Sequence, residues 1–283
     1  MAQSLIITLG SSFTDPDLPS LQRDEVIVNG TLCCYDLARS YTWAGGDPVD
    51  DSVVQDLTYA NRHASVQIDG GSIAYLGGGF DFTGATDSDA AMIKIPASVF
   101  AELWGGSQYW LAVAYIKLPT FIDWNASGNI KTFIDTAGVS AINGAPALFA
   151  FGQATTGMSG FRKKTTVNQY DYFEISHASL TNFYGTVTQV AMWRESDNIT
   201  FRLKNADDVR SATLGAGATN DSDFSGTYGS AGVGEASLLR PTGNRQKFRV
   251  HRIFIEDLEV SGRDPATVLD SDWARTEERA VFS

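Results

Sequence analysis

Two stretches of the chain alternate apolar and polar residues: Lys247-Phe-Arg-Val-His-Arg-Ile-Phe-Ile255 and Thr200-Phe-Arg-Leu-Lys204. A period of two puts one set on each face of an extended segment, so both predict antiparallel strands with one apolar and one polar face. By that alternation His251 falls on the polar side, facing solvent or a hydrogen bond across the sheet. Further strands are predicted at Thr31–Asp36, Ser65–Asp69, Gly79–Thr83, Ala91–Ile95 and Tyr109–Leu118. Others follow at Lys131–Asp135, Ala147–Phe151, Tyr172–Ser176, Thr186–Arg194 and Ser211–Leu214. Each is rich in Val, Ile, Phe, Tyr or Thr, and most are bounded by Gly, Asn, Asp or Ser.

Helix is scarce. Ala97–Trp104 has the makings of a turn or two after Pro96. Residues 264–279 are the best candidate, with Asp264 as cap and Pro265 at the first helical position. Many strands and little helix predict an all-β fold, a two-sheet antiparallel jelly-roll sandwich with a C-terminal helix. Residues 1–25, broken by two prolines, read as a short N-terminal arm, and 26–283 as the sandwich domain. Leu5, Ile6, Ile7 and Leu9 would be exposed together in a free arm, so the arm is expected to dock. Gly215–Gly234 has few bulky residues and reads as a long surface loop or flexible flap.

The formal charge of −12 changes the functional picture more than composition does. A nucleic-acid binder needs a basic footprint to displace phosphate counterions, and the chain shows none. The one basic run, Phe161-Arg-Lys-Lys164, reads as a solvated loop. No apolar stretch reaches the ~20 residues that span a bilayer, and MAQSLIITLG lacks the basic start of a signal peptide. Glycine (27 residues) far exceeds proline (8), which suits a turn-rich β protein. The two cysteines, Cys33 and Cys34, are adjacent. On a strand they face opposite ways, so they cannot jointly grip a metal and are read as packing residues.

Several segments, in order, resemble a concanavalin A-like domain of the laminin-G type. Leu32-Cys-Cys-Tyr-Asp-Leu-Ala-Arg-Ser-Tyr-Thr-Trp43 with Val53-Val-Gln-Asp-Leu-Thr58 is similar to its opening strand. Gly78-Gly-Phe-Asp-Phe-Thr-Gly84 with Ala91-Met-Ile-Lys-Ile-Pro96 is similar to its hairpin leading into a sheet-crossing strand, Tyr109–Tyr115. Val187–Trp193 with Ile199–Leu203, and Arg249–Leu258, resemble its mid-sheet pair and its closing strand with trailing helix. Together they span roughly residues 26–278. The short arm followed by one large β domain also resembles, in style, a virion protein of tailed phages.

The resemblance implies a lectin-like domain, and the same sandwich hosts glycanases. Those enzymes carry E-x-D-x-E on one strand, so that alternation turns all three carboxylates into the cleft. Nothing here matches: Glu256 and Glu259, like Asp171 and Glu174, have a spacing that puts them on opposite faces of a strand. His63, His177 and His251 lack the local spacing of a zinc site. Gly77-Gly-Gly-Phe lies between strands, where glycines permit a bulge or tight turn rather than a phosphate loop. Domains of this type often hold calcium at the rim. Asp87 and Asp89, and Asp221 and Asp223, pair carboxylates on short loops, and calcium site and solvated loop both stand as readings, with the loop ahead.

Sugars stack on aromatic rings beside carboxylates, amides and arginine. Asp123-Trp124-Asn125, Trp193-Arg194-Glu195 and Tyr184 have that composition. The alternative is that large aromatics plug the core, which is favoured for Trp110 and Trp193 and evenly weighed for Trp124. The expected function is a non-enzymatic phage virion structural protein, tail-associated or decorating the capsid, that adheres to host-surface glycan. Its expected partners are other virion proteins through the arm, further copies in a homo-oligomer, and host polysaccharide, with no nucleic acid and no membrane insertion. Such a protein is made in the host cytoplasm and resides on the virion. The alternatives are a glycan-active hydrolase and a purely structural assembly protein.

Overall fold

The computed structural model describes residues 24–84, 90–124, 131–136, 149–163, 170–196, 198–215, 219–233 and 247–277. The predicted arm therefore lies outside the described residues except for Asp24 and Glu25, and Asp87, Asp89 and Asn125 lie outside them too.

In chain order the first strands are β1 (Thr31–Asp36), β2 (Val53–Val54), β3 (Ala64–Asp69), β4 (Ala74–Leu76), β5 (Gly79–Asp81) and β6 (Ala90–Ile95). They continue as β7 (Trp110–Lys117), β8 (Lys131–Asp135), β9 (Ala150–Gln153), β10 (Gly157–Lys163) and β11 (Tyr170–Ser176). The last are β12 (Val187–Glu195), β13 (Asn198–Lys204), β14 (Val209–Gly215), β15 (Gly229–Val233) and β16 (Arg249–Asp257). The helices are α1 (Ala97–Ala101), α2 (Leu258–Ser261) and α3 (Pro265–Glu277). Among the described residues two antiparallel sheets form: one ordered β14-β13-β12-β7-β16-β5-β4 with β1 also on β16, the other β11-β10-β9-β8-β15-β6-β3-β2. The fold is a two-sheet sandwich with a C-terminal helix.

Alternation builds two apolar layers. Ala112, Ala114 and Ile116 of β7, with Val190 and Met192 of β12, face the second sheet and join Phe133, Phe151 and Phe201 in the main core. Leu111, Val113 and Tyr115, on the opposite face of β7, pack with Trp193 beneath Val268, Leu269 and Trp273 of α3. Cys33 belongs to the first layer and Cys34 to the second. Both thiols are free, and burial pushes both well above the ordinary range, so they pack rather than react. Trp110 and Trp193 are both buried. At the start of α3, Asp264 accepts the Thr267 amide at 2.7 Å and its hydroxyl at 2.6 Å, as its capping position predicts. Gly77 and Gly78, both with positive φ, form the two-residue turn between Leu76 and Gly79 of β4 and β5.

Three expectations are corrected. The alternation of β16 breaks at His251: Val250 pairs with Ile116 and Arg252 with Tyr115, leaving His251 as a bulge. The extra residue shifts the inward set from Phe248 and Val250 to Ile253 and Ile255. His251 is therefore buried rather than solvent-facing, and burial together with Arg249 lowers it to about 4. The basic run is not a solvated loop: Arg162 and Lys163 are buried on β10, and Arg162 meets Asp171 on the neighbouring strand at 3.1 Å. The glycine-rich stretch is not all loop, because Gly229–Val233 is a buried strand between β6 and β8. A Cβ on Gly229 would stand 2.7 Å from the Phe100 ring, so the small residue serves close packing.

The second layer contains a buried charge network. Arg252 reaches Asp24 at 3.0 Å, Asp36 at 2.7 Å and Asp272 at 2.9 Å, all without solvent exposure. Burial alone pulls Arg252 down, but the carboxylates, Asp272 foremost, hold it well above the ordinary range. Tyr115 donates to Asp272 at 2.8 Å, and Gln189 donates to Tyr115 and to the Leu269 carbonyl. The network ties Asp24, β16 and α3 together, so the folded body begins by residue 24.

Candidate functional site

At one end of the sandwich, the turn after β7 brings Thr120–Trp124 beside the segment His177–Tyr184 that links β11 to β12. Gly185 donates to the Pro119 carbonyl at 3.1 Å and, with positive φ, turns the chain where a side chain would strain it. The Trp124 amide closes a tight turn on the Phe121 carbonyl at 3.3 Å, which pushes Phe121 and Ile122 outward. Phe121 is 64% exposed and Ile122 94%.

Four rings gather there. Trp124 lies 5.4 Å from Tyr184 and 5.6 Å from His177, and Phe121 lies 5.3 Å from Tyr184, all edge to face. Such contacts fix ring orientation through the aromatic quadrupole. Trp124 is buried at the base, its indole N–H donating to the Ala154 carbonyl at 3.1 Å and its ring meeting Phe133 of the core. His177 Nε2 donates to the Thr155 carbonyl at 2.9 Å, which leaves Nδ1 to accept from the Tyr184 hydroxyl. Burial pushes the Tyr184 phenol up to about 12, so it remains a hydroxyl at neutral pH. The result is a platform with Phe121 and half-buried Tyr184 on its surface and Trp124 beneath.

Polar groups border the platform. Lys247 donates to Asp123 Oδ1 at 2.7 Å, and Thr120 donates to Oδ2 at 2.7 Å. These bonds, Lys247 first, hold the Asp123 carboxyl below its usual range. Asp123 is thus ionised and accepts hydrogen bonds at the edge of the platform.

Asp123, Trp124 and Tyr184 thus come together, while the Trp193 group stands apart. Register places Val187 beside Lys117 and Arg194 beside Trp110, so Arg194 lies at the other end of β12, about 23 Å along the strand. There Trp193 donates to Glu195 at 3.1 Å from beneath α3, and Arg194 is buried on the carbonyls of Ser107 at 2.5 Å and Gln108 at 3.2 Å. Asp223 accepts from the Ser225 amide and hydroxyl, and these bonds lower it. Among the described residues no three His, Cys, Asp or Glu side chains gather into a group that could hold a metal. Sequence reasoning missed Phe121, Ile122 and Lys247 as site residues and gave His177 no role. An apolar pair between Pro119 and Trp124, outside any strand pattern, was the available signal.

No family model matches the chain, and no curated protein matches it. Solved structures do. The binding domain of botulinum neurotoxin serotype D/C VPI 5993 superposes with a TM-score of 0.52 at 10% identity, covering 86% of this chain and 52% of that one. The binding domain of botulinum neurotoxin DC in complex with rat synaptotagmin II gives 0.53 at 9% identity over the same shares. The CBM2 module of the evolved Dit of Lactobacillus casei BL23 phage J-1 gives 0.42 at 12% identity, covering 81% of this chain and 95% of that one. The chain spans about half the length of the two toxin domains, and what it shares with them is the two-sheet sandwich fold.

Proposed function

We propose that this domain binds carbohydrate non-catalytically through the platform at the sandwich rim. The observation that carries the reading is the exposed Phe121 ring, edge-packed on Tyr184 and flanked by Asp123, Lys247 and Thr120. A sugar's C–H face stacks on such a ring while its hydroxyls donate to the ionised carboxylate and accept from the ammonium. The rings are held by neighbouring rings and by backbone carbonyls, so little ordering is left for binding to oppose. That two of the superposed structures are themselves called binding domains is in keeping with this use of the fold.

The finer reading sets the domain on the surface of a tailed-phage virion, with residues 1–25 as its arm for attachment and oligomer contacts and host polysaccharide as its target. It rests on the style of the sequence. Phe121→Ala and Tyr184→Ala, assayed on a glycan array with intact folded protein, test the platform: both should lose signal on the glycans that the parent binds. Equal binding by parent and Phe121→Ala sinks it. Shortening of a polysaccharide by the purified protein would replace binding with hydrolysis. Removal of residues 1–23, which leaves Asp24 in its network, should abolish incorporation into particles while the domain stays folded, and unchanged incorporation overturns the role of the arm.

A further inference from the structure

The opposite end of the sandwich carries a cleft of about 440 Å³, lined by Asn29, Tyr59, Arg62, Glu102, Asp257 and Val260 among others. Its construction starts from Asp56, which is wholly buried. Asp56 Oδ1 accepts the amides of Cys34 at 2.9 Å and Thr58 at 3.0 Å, while Oδ2 accepts the amide of Arg62 at 3.0 Å and the Thr58 hydroxyl. Its own amide donates to His63 Nδ1 at 3.0 Å. One carboxylate thus holds both ends of the loop 56–63. Asn61, at positive φ, reverses the loop at its tip, a conformation asparagine tolerates better than most residues.

That loop aims two side chains at the cleft. Tyr59 is 52% exposed. Arg62 is pinned on three sides: its carbonyl accepts from the Tyr35 hydroxyl at 2.5 Å, Nη1 donates to the Leu32 carbonyl at 3.0 Å, and Nη2 donates to Glu102 at 2.8 Å. The Glu102 side chain is itself 55% exposed, so its carboxylate remains open to solvent beside a fixed guanidinium. On the far wall, Asp257 caps α2 with Oδ1, at 2.9 Å from the Glu259 amide. Gly30 allows that wall to close on β1, since a Cβ there would stand 2.8 Å from the Asp257 carbonyl oxygen.

We propose that this cleft is a second ligand site, distinct from the rim platform, and that it takes a neutral hexose unit of a glycan. The juxtaposed Arg62 and Glu102 match a vicinal diol: the guanidinium donates to the hydroxyl oxygens and the carboxylate accepts their protons. Tyr59 and the exposed Val260 supply the apolar wall for the sugar ring. Charge selects the ligand class. One guanidinium stands against two carboxylates, Glu102 and Asp257, in a chain of net charge −12, so a uronic or sialic acid is repelled along with any acidic peptide. Burial first, and then Glu259 and Glu102, hold the Asp257 carboxyl above its ordinary range, which agrees with a pocket hostile to further negative charge.

The test is ligand-observed saturation-transfer NMR on the full chain with gluco-, galacto- and mannooligosaccharides, a sialylated and a uronic oligosaccharide, and a lysine-rich peptide. The variants are Tyr59→Ala, Glu102→Gln and Phe121→Ala. Phe121→Ala weakens binding at the rim, and the neutral-oligosaccharide binding that remains is expected to weaken about a further tenfold or more when Tyr59→Ala or Glu102→Gln is added to it. Loss in Phe121→Ala with no change in either cleft variant overturns the cleft and leaves the rim standing. Preference for acidic sugars or for the peptide, or no binding by the parent, overturns the proposal as well. Both cleft substitutions are at exposed side chains, and matching amide NMR spectra separate lost contact from lost fold.

Discussion

Two sets of charged side chains on this molecule have opposite fates. Around Arg252, the carboxylates of Asp24, Asp36 and Asp272 are sealed under α3 with no solvent exposure. At the rim, Asp123 and Lys247 form a 2.7 Å pair in the open beside an exposed Phe121. Removing one partner of a buried pair leaves an uncompensated charge in a medium that cannot solvate it, whereas water replaces a lost partner at the surface. The same chemistry therefore builds the body in one place and remains open to a ligand in the other.

The largest expected effect follows from that difference. Arg252→Met should cost about 3–5 kcal/mol in urea unfolding, because three buried carboxylates lose their shared cation. A loss below about 1 kcal/mol would mean that water reaches the network.

The second effect comes from His251, buried on the bulge of the same strand. Its folded value is depressed to about 4 from an ordinary 6.5, so the unfolded chain takes up the proton first as pH falls. Its contribution is complete above pH 6.5 and is lost between there and pH 4, roughly 3 kcal/mol in all. Stability of parent and His251→Gln measured across that window should differ in slope, the variant lacking this component.

At the rim the order of effects reverses. Phe121→Ala should change stability by less than about 0.5 kcal/mol, as expected of an exposed side chain, while glycan binding falls about tenfold or more. Stability and binding falling together would make the ring a structural element. The smallest effect belongs to Lys247→Ala: the melting temperature stays put while the Asp123 carboxyl titrates closer to its ordinary range by NMR. A titration that does not move would show that Thr120 alone holds the carboxylate.

Much of the architecture was legible because strand alternation reports burial directly, as in Thr200–Lys204 with its inward Phe201 and Leu203. The bulge at His251 was hidden, since one extra residue leaves no mark in composition and its partner strand is 135 positions away in the chain at Ile116. Small residues misled for a related reason: Gly229 answers to Phe100, whose ring occupies the room a side chain would take. Asp123 and Trp124 were visible as neighbours in sequence. Lys247 and His177 were not, because only the return of β16 and the exit from β11 carry them to that rim. The cleft depends on Asp56, whose partners span Cys34 to His63 and whose role no local motif announces.

Strand β16 has one more consequence. It departs from the rim just after Lys247 and arrives at the cleft with Asp257, and on the way it is hydrogen-bonded to β7, β5 and β1. The nine residues of β16, the His251 bulge among them, make a stiff ruler of roughly 30 Å. If both proposed sites take sugar, a short oligosaccharide could not reach both poles, but two separate polysaccharide chains could be held at once, one at each. The domain would then act as a rigid spacer that cross-links a coat of sugar even as a single copy, with the gap between the strands of that coat set by the length of a β-strand rather than by a flexible linker.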